Sequence, residues 1–214
     1  MHCHVKTWGA IHQKSVKSTS VNSALYVLYN VLGKRRGEVN AMEKLIITAC
    51  ICGAEVTKEH NPAVPYTVEE IAKEAKSAYD AGASIIHLHV REDDGTPTQS
   101  KERFEACINA IKEVCPDVII QPSTGGAVGM SNEERLAPTT LRPEMATLDC
   151  GTCNFGGDEI FVNTENMIID FANTMNEYGI KPEIEVFDKG MVDMAIRLHK
   201  KGYIKAPMHF DFVM

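Results

Sequence analysis

The feature that most constrains this fold is an alternation of short apolar strands and amphipathic helices, which continues from residue 44 to Met214. The pattern predicts six strands, at residues 44–52, 85–90, 118–121, 145–148, 184–187 and 207–214. It predicts helices between Thr67 and Gly82 and at residues 101–114, 165–178 and 191–201, with a short helix after Ser131. Because strands joined through helices run parallel, we expect a parallel sheet with helical cover.

Polar side chains collect where these strands end. They are Glu55, His87 and His89, Ser123 and Thr124, Thr147 and Asp149, and Glu185 and Asp188. Both (β/α)₈ barrels and open doubly wound sheets build their sites at the carboxyl ends of strands. No GxGxxG motif follows the first strand, which disfavours a dinucleotide-binding sheet. We therefore predict a (β/α)₈ TIM barrel.

The number of strands falls short of a complete barrel. Such a barrel usually takes about 250 residues, whereas residues 42–214 supply 214 − 41 = 173. We expect an incomplete TIM barrel over residues 42–214, in which about six strands are present and strands seven and eight are missing. The sequence then has the form of a chain truncated after Met214.

Residues 1–41 differ from the rest in composition. They contain six basic residues and a single acidic one, Glu38, so their net charge is +5, and the overall charge of −7 leaves −12 for the residues that follow. We predict that residues 1–41 are an extension that is disordered or lies outside the fold. The acidic remainder argues against a nucleic-acid-binding protein. No apolar run approaches the roughly 18 residues of a membrane span.

The seven cysteines are an odd number and are scattered along the chain. The pair Cys150 and Cys153 has the CxxC form, but no second pair stands at the spacing of a zinc ribbon. The spacing is unlike the dense framework of a small secreted domain. We expect free thiols and a cytoplasmic protein.

Two histidines alternate with apolar residues in the second predicted strand. Side chains alternate between the faces of a strand, so Ile86 and Leu88 share one face while His87 and His89 share the other. If the apolar face packs under a helix, both imidazoles project to the opposite side, about 7 Å apart along the strand. Two neutral imidazoles so placed can bind one cation such as zinc. The alternative is a buried, hydrogen-bonded pair without a metal.

The segment after the third strand is suited to an anion. Ser123 and Thr124 offer hydroxyl groups, and the backbone N–H groups of Gly125 and Gly126 can approach a carboxylate closely. A tight turn that needs glycine explains the same residues without a ligand. Glu55, at the end of the first strand, has the charge to pair with an ammonium group, although a loop glutamate is often simply solvated.

For other strand residues the sequence does not decide which of them belong to the site. Thr147 and Asp149 share a strand face, and spacing does not distinguish between them as site residues. Glu183 and Glu185 also share a face, and two carboxylates inside a barrel need partners. We interpret His209 as structural rather than as a ligand.

Five segments resemble one family. They read TACICGAEVTKEHNPAVPYT, AGASIIHLHVREDDGTP, IIQPSTGGAVG, RLAPTTLRPEMATLDCGTCNFG and KPEIEVFDKGMVD. In this order they resemble the β-keto acid cleavage enzymes, and most closely the members that act on 3-keto-5-aminohexanoate in lysine fermentation. The likeness covers residues 42–214 and implies a zinc-dependent (β/α)₈ barrel. The expected reaction converts that keto acid and acetyl-CoA into 3-aminobutyryl-CoA and acetoacetate.

The resemblance also implies roles for individual residues. His87 and His89 would be zinc ligands, Glu55 would meet the substrate's amino group, Ser123, Gly126 and Thr147 would line the keto-acid site, and Glu185 would be the buried catalytic carboxylate. The family's third zinc ligand, a glutamate, and an arginine–aspartate pair would lie beyond Met214. A homotetramer is also implied.

The residue types suit this chemistry. A β-keto acid presents a carboxylate and a ketone that can both bind one cation, and zinc can stabilise the enolate formed when a proton leaves between them. A carboxylate such as Glu185 can take that proton. Two other hypotheses remain: a metal-dependent hydrolase of the amidohydrolase type, for which His209 is a candidate ligand, and an inactive fragment that binds metal weakly.

Overall fold

The structure is a computed structural model that describes residues 24–28, as backbone only, and residues 45–214. Two sheets contain its parallel strands. The first sheet joins β2 (Ile46–Cys50), β3 (Ile85–Leu88) and β6 (Ile119–Pro122). The second joins β7 (Met145–Asp149), β10 (Lys181–Val186) and β11 (His209–Phe212). The six predicted strands are therefore present, and their pairing is parallel as expected.

Helices connect these strands. They are α1 (Val68–Asp80), α2 (Lys101–Val114), α3 (Asn132–Leu136), α4 (Glu165–Tyr178) and α5 (Lys189–Lys200), with a 3₁₀ helix at Ala137–Leu141. Two of them begin with a capping box, in which the side chains of the N-cap and of the third residue each accept a backbone N–H. Thr67 and Glu70 form the box of α1, and Ser131 and Glu134 form that of α3. None of the helices in the described ranges is long and apolar enough to cross a membrane.

Two apolar cores lie between the sheets and their helices. The first packs Ile86 and Leu88 of β3 against α1 and α2, and the second packs β7 and β10 against α4 and α5. Residues one position away in sequence point to the other face, and on that side His87 and His89 line a cavity. The predicted division of the histidine strand into an apolar helix side and a polar side is confirmed.

Two short hairpins follow the strands. One pairs β4 (Val90–Arg91) with β5 (Pro97–Thr98), and the other pairs β8 (Cys153–Gly156) with β9 (Glu159–Phe161). The first hairpin brings Arg91 into the interior, where it is 1% exposed. Its guanidinium donates hydrogen bonds to the carbonyl oxygens of Gly53, Val56 and Gly95. Arg91 thereby ties the loop after β2 to the loop after β3.

The segment before residue 42 contributes one described element. Strand β1 (Ala24–Leu28) pairs antiparallel with β2, with Ala24 opposite Cys50. The other residues before Leu45 lie outside the described part of the chain. That residues 1–41 form a separate extension stays a prediction. The six cysteines from Cys50 onward are unpaired, and Cys3 lies outside the described residues.

Candidate active site

Both histidines lie at the carboxyl end of β3. His87 is 8% exposed, and its Nδ1 lies 3.0 Å from Oε1 of Gln121, its register neighbour on β6. His89 follows the strand, with its ring centroid 5.1 Å from that of His87 and the ring planes at 58°. Burial, helped by the neighbouring His87 and Arg91, lowers the pKa of His89 to about 3. His89 is therefore neutral at physiological pH, as a metal-binding imidazole must be.

Two adjoining cavities open at the strand ends. The larger, of about 400 Å³, has Thr48 and Cys50 on one side and Glu183 and Asp211 on the other. The smaller cavity has a volume of about 100 Å³. The residues that line this cavity but not the larger one include Glu55, Ser123, Gly125, Gly126 and Asp149. Both cavities share His87, His89 and Glu185 in their walls. The structure thus brings together six of the seven residues that the resemblance singles out.

The seventh residue, Thr147, lies in neither cavity wall and is fully buried. Its hydroxyl accepts a hydrogen bond from the Thr124 N–H at 2.9 Å, and its carbonyl accepts one from the Thr124 hydroxyl at 2.7 Å. Asp149, one strand repeat further along, lines the smaller cavity. In this structure Thr147 fixes the loop after β6, and its contact with a substrate stays a prediction.

The loop after β6 is shaped to leave space beside a hydroxyl group. Gly125 N–H donates to Oγ of Ser123 at 3.1 Å. A β-carbon added at Gly125 would lie 3.3 Å from that Oγ and 3.7 Å from Oδ2 of Asp149, so a side chain there would crowd the cavity wall. Gly126 has a φ of 66°, a left-handed conformation that glycine adopts without strain. Gly125 therefore keeps the space beside the Ser123 hydroxyl open, and Gly126 allows the left-handed turn.

Two carboxyl groups line the same cavity as the histidines. Asp149 and Glu185 are register neighbours on β7 and β10. Burial raises the pKa of both, and for Glu185 the charge of Asp149 raises it further. Burial and the like charge of the neighbour therefore favour the protonated form of these carboxyl groups over the ionised form. A pair of this kind is suited to accept and return a proton.

A buried arginine that the sequence pattern did not indicate supports this pair. Arg135 of α3 is 3% exposed, and its guanidinium lies 3.5 Å from Oδ2 of Asp149. It donates hydrogen bonds to the Thr124 carbonyl and to Oδ1 of Asn163, both at 2.7 Å, and to the Val162 carbonyl at 3.2 Å. It also packs over the rings of two phenylalanines, Phe161 and Phe171. Arg135 is the positive partner of the carboxyl pair.

The next layer of the interior holds a contact between a carboxyl group and an imidazole. Oε2 of Glu183 lies 3.0 Å from Nε2 of His209, its register neighbour on β11. Glu183 is 2% exposed, so the histidine supplies the partner that a buried carboxylate needs. His209 is therefore a partner of an interior carboxylate, and its interpretation as structural stays a prediction. Glu55, by contrast, is exposed at the rim of the smaller cavity.

The interior groups suit a divalent cation. One ring nitrogen of His87 and one oxygen of each of Glu183 and Glu185 all lie within 4.8 Å of one another. Because Nδ1 of His87 is engaged with Gln121, Nε2 is the nitrogen left to bind a cation. Imidazole and carboxylate are ordinary zinc donors. The donor set present therefore fits a zinc ion.

The sequence comparison identifies related proteins. The profile of a family described as beta-keto acid cleavage enzyme matches residues 44–214. Over 173 residues the chain is 80% identical to a 3-keto-5-aminohexanoate cleavage enzyme of Acetoanaerobium sticklandii, covering 81% of this chain and 63% of the relative. It is equally identical to an enzyme of the same description in Fusobacterium nucleatum, of which it covers 64%. The chain thus spans just under two thirds of these relatives.

More distant likenesses agree with these matches. Over 169 residues the chain is 40% identical to a 3-oxoadipate:acetyl-CoA acetyltransferase of Cupriavidus necator, covering 79% of this chain and 59% of that one. Among solved structures, ObcA in a binary complex with oxaloacetate aligns with a TM-score of 0.61 and 24% identity, over 70% of this chain and 37% of that chain. This structural likeness supports a mixed α/β, TIM-barrel-like fold.

Proposed function

We propose that this chain, which belongs to the beta-keto acid cleavage enzyme family, acts on 3-keto-5-aminohexanoate and acetyl-CoA and yields 3-aminobutyryl-CoA and acetoacetate. The observation that carries the proposal is the meeting of His87, His89, Ser123 and Glu185 around joined cavities at the strand ends. The 80% identity to two enzymes described by that substrate supports the choice of keto acid. We also propose that the six parallel strands are the first six of a (β/α)₈ barrel.

The reaction exchanges one carbon–carbon bond for another. A proton leaves the carbon between the carboxylate and the ketone, and that carbon attacks the thioester carbonyl of acetyl-CoA. The CoA thiolate released in this step then attacks the ketone carbon of the original keto acid. The bond between that ketone carbon and the newly acylated carbon breaks. The fragment that carries CoA is 3-aminobutyryl-CoA, and the other, after it regains a proton, is acetoacetate. No oxidant or reductant is needed.

Three parts of the site would serve this sequence. The Ser123 hydroxyl and the backbone of Gly126 would hold the substrate carboxylate, and the exposed Glu55 at the cavity rim would pair with its ammonium group. Glu185, whose pKa is raised by burial and by Asp149, would take the proton and return it. The protein would then hold the substrate at both ends, by its carboxylate at one end and by its ammonium group at the other.

A zinc ion fits this site and would supply Lewis-acid stabilisation of the negative charge that develops on the keto-acid oxygens. His87 and His89 would hold it. We expect that His87→Ala removes most of the zinc, as measured by metal analysis of the purified chain. His199→Ala is the matched control, because His199 lies on α5 and its Nδ1 contacts the Ile204 carbonyl at 2.7 Å. Equal zinc content in both variants would remove His87 from the ligand set.

The activity test uses the full chain with acetyl-CoA and 3-keto-5-aminohexanoate and measures acetoacetate. We expect acetoacetate and 3-aminobutyryl-CoA to form in equal amounts, and only when acetyl-CoA is present. Consumption of a substrate without CoA would favour the hydrolase hypothesis instead. If zinc is held tightly but neither reaction occurs, the proposed activity fails for this chain.

Two further features complete the proposal. The described cysteines are unpaired, and a cytoplasmic location, where thiols stay reduced, suits such a chain and a CoA-dependent reaction. The family resemblance favours a homotetramer, which the sedimentation velocity of the purified chain tests directly.

A further inference from the structure

We propose that the phenyl ring of Phe155 is a specificity-determining group, which contacts the methyl group beside the amino group of the keto acid and so selects one enantiomer of that substrate. The inference deepens the proposed function and rests on it for the identity of the keto acid. Carbon 5 of 3-keto-5-aminohexanoate bears a hydrogen, a methyl group, an ammonium group and the rest of the carbon chain, so it is a stereocentre. A site distinguishes the two enantiomers when it holds three of these substituents in fixed places.

Phe155 is an apolar side chain that faces both cavities. It belongs to β8, in the hairpin that follows β7, and lines the larger and the smaller cavity. The residue is 37% exposed, so part of its apolar surface is open to solvent. Covering such surface with an apolar group of a ligand is favourable. Binding sites use apolar walls of this kind together with a few placed polar groups.

The hairpin is irregular at this residue. The pairing of β8 with β9 shifts between Asn154 and Gly156, so Phe155, which lies between them, has no register partner on β9. Gly156 has a φ of 110°, a conformation that glycine adopts without strain. Irregularities of this kind bend a strand and redirect a side chain, and they are common beside active sites.

A second aromatic ring supports Phe155. Its ring centroid lies 5.4 Å from that of Phe161, with the ring planes at 55°, which is a favourable aromatic pair. Phe161 lines the smaller cavity and is 8% exposed. Its ring centroid lies 4.8 Å from the guanidinium carbon of the buried Arg135, which holds the ring in place. The two phenylalanines therefore form a fixed apolar corner of the smaller cavity.

This apolar corner adjoins the end of the cavity proposed for the substrate carboxylate. A β-carbon added at Gly125 would lie 3.6 Å from Cζ of Phe161 and 3.3 Å from Oγ of Ser123. The tip of the Phe161 ring and the Ser123 hydroxyl thus border the same space.

The hairpin also approaches the residue proposed for the ammonium group. Phe155 and Glu55 line the same small cavity. Desolvation raises the pKa of Glu55, and the charge of Glu159, on the same hairpin as Phe155, adds to the rise while Arg91 opposes it. If the ammonium group pairs with Glu55 and the chain extends towards Ser123, the methyl group is the third substituent of carbon 5. The apolar corner is the part of the wall whose chemistry suits it.

The test compares the two enantiomers of 3-keto-5-aminohexanoate as substrates of the full chain with saturating acetyl-CoA. We expect the parent to prefer one enantiomer by about 10-fold or more in kcat/KM, because one methyl group in an apolar pocket changes this constant by roughly 10- to 200-fold. Phe155→Ala should reduce the preference to less than about threefold. A ratio measured on one preparation does not depend on the fraction of the chain that is folded, so partial unfolding of the variant does not affect it.

Two further variants separate the role of the ring from that of the hairpin. The matched control is Ile160→Ala, on the same hairpin, at a residue that is 54% exposed and lines neither cavity. We expect it to keep the parent's enantiomer ratio within about twofold. Phe155→Leu retains an apolar side chain and should restore most of the preference that Phe155→Ala loses.

A binding measurement gives the same information without turnover. Titration calorimetry of the full chain, without acetyl-CoA, compares the favoured enantiomer with 3-keto-5-aminopentanoate, which lacks only the methyl group. We expect the parent to bind the compound without the methyl group about 10-fold more weakly. Phe155→Ala should bind the two compounds within about twofold of each other.

The outcomes separate this inference from the proposed reaction. If Phe155→Ala keeps the parent's enantiomer ratio, the inference is wrong and the reaction stands; a raised KM for acetyl-CoA would then place the ring on the path of the thioester. A parent chain that distinguishes the compounds in neither measurement, or binds none of them, also overturns the inference. If binding depends on the methyl group and on Phe155 but no acetoacetate forms, the inference stands and the proposed reaction fails.

Discussion

Replacing Asp211 by asparagine should make the metal-free chain more stable at neutral pH. Asp211 is the register neighbour of Glu185 on β11 and lines the larger cavity. Burial raises its pKa from 3.8 to about 6, and the charges of Glu183 and Asp149 add to the rise while His209 opposes it. Asparagine resembles the protonated form of this side chain, so it places no negative charge in the interior at any pH.

The magnitude follows from the difference between the folded and unfolded pKa values. Between pH 3.8 and about 6 the unfolded carboxyl group has lost its proton while the folded one keeps it. The folded state then binds more protons, so the stability that this group contributes is complete below pH 3.8 and is lost as the pH rises towards 6. At about 1.4 kcal/mol for each pH unit, the loss amounts to about 3 kcal/mol at pH 7.

Urea unfolding in the presence of EDTA, repeated from pH 4 to pH 8, measures this difference. We expect the advantage of Asp211→Asn over the parent to grow by about 2.4 kcal/mol between pH 4 and pH 7 and to remain nearly constant above that. The control is Asp193→Asn, at an α5 position whose side chain is 71% exposed, where we expect less than about 0.5 kcal/mol at any pH. A variant that gains nothing at pH 7, or whose gain does not depend on pH, would refute the argument.

Two other substitutions test the site from different sides. Arg135→Met removes the positive partner of Asp149 and three hydrogen bonds. We expect the free energy of unfolding in urea to fall by about 3 to 5 kcal/mol. The control is Arg197→Met, at an arginine that is 44% exposed, which should change the free energy of unfolding by no more than about 0.5 kcal/mol. Similar losses in both variants would show that Arg135 does not hold the carboxyl pair. Glu55→Gln should lower kcat/KM roughly 10-fold for 3-keto-5-aminohexanoate and less than about twofold for an uncharged β-keto acid; an equal loss on both substrates would exclude Glu55 from recognition of the amino group.

The strand-borne part of the site follows from the sequence because the strand period decides which side chains share a face. The alternation around β3 predicts that Ile86 and Leu88 join the helix-side core and that His87 faces away from it, and the structure agrees. It also explains why Glu183 and Glu185 share one side of β10, where both line the larger cavity. These positions depend only on local pattern and on strand direction.

Sequence pattern does not predict how deeply a strand residue is buried, or which face of a very short helix is buried. Thr147 and Asp149 share a face, yet Thr147 is committed to the Thr124 backbone while Asp149 reaches a cavity. Arg135 stands in a charged run on a helix of five residues, too short for periodicity to mark a buried face. Its burial depends on Asp149 and Asn163, which are distant in sequence. Contacts of this kind are set by tertiary packing rather than by pattern.

The charges in the interior of this chain predict that the proposed metal binding depends on pH. Asp149, Glu183, Glu185 and Asp211 lie on three adjacent strands, β7, β10 and β11. Arg135 is 3.5 Å from one of these carboxylates, but a single guanidinium does not balance four of them. Burial raises the pKa values of Asp149, Glu185 and Asp211, and the charges of neighbouring carboxylates raise those of Glu185 and Asp211 further. A divalent cation beside His87 would neutralise the same charge and release those protons. Zinc binding should therefore become tighter as the pH rises from 5 to 7.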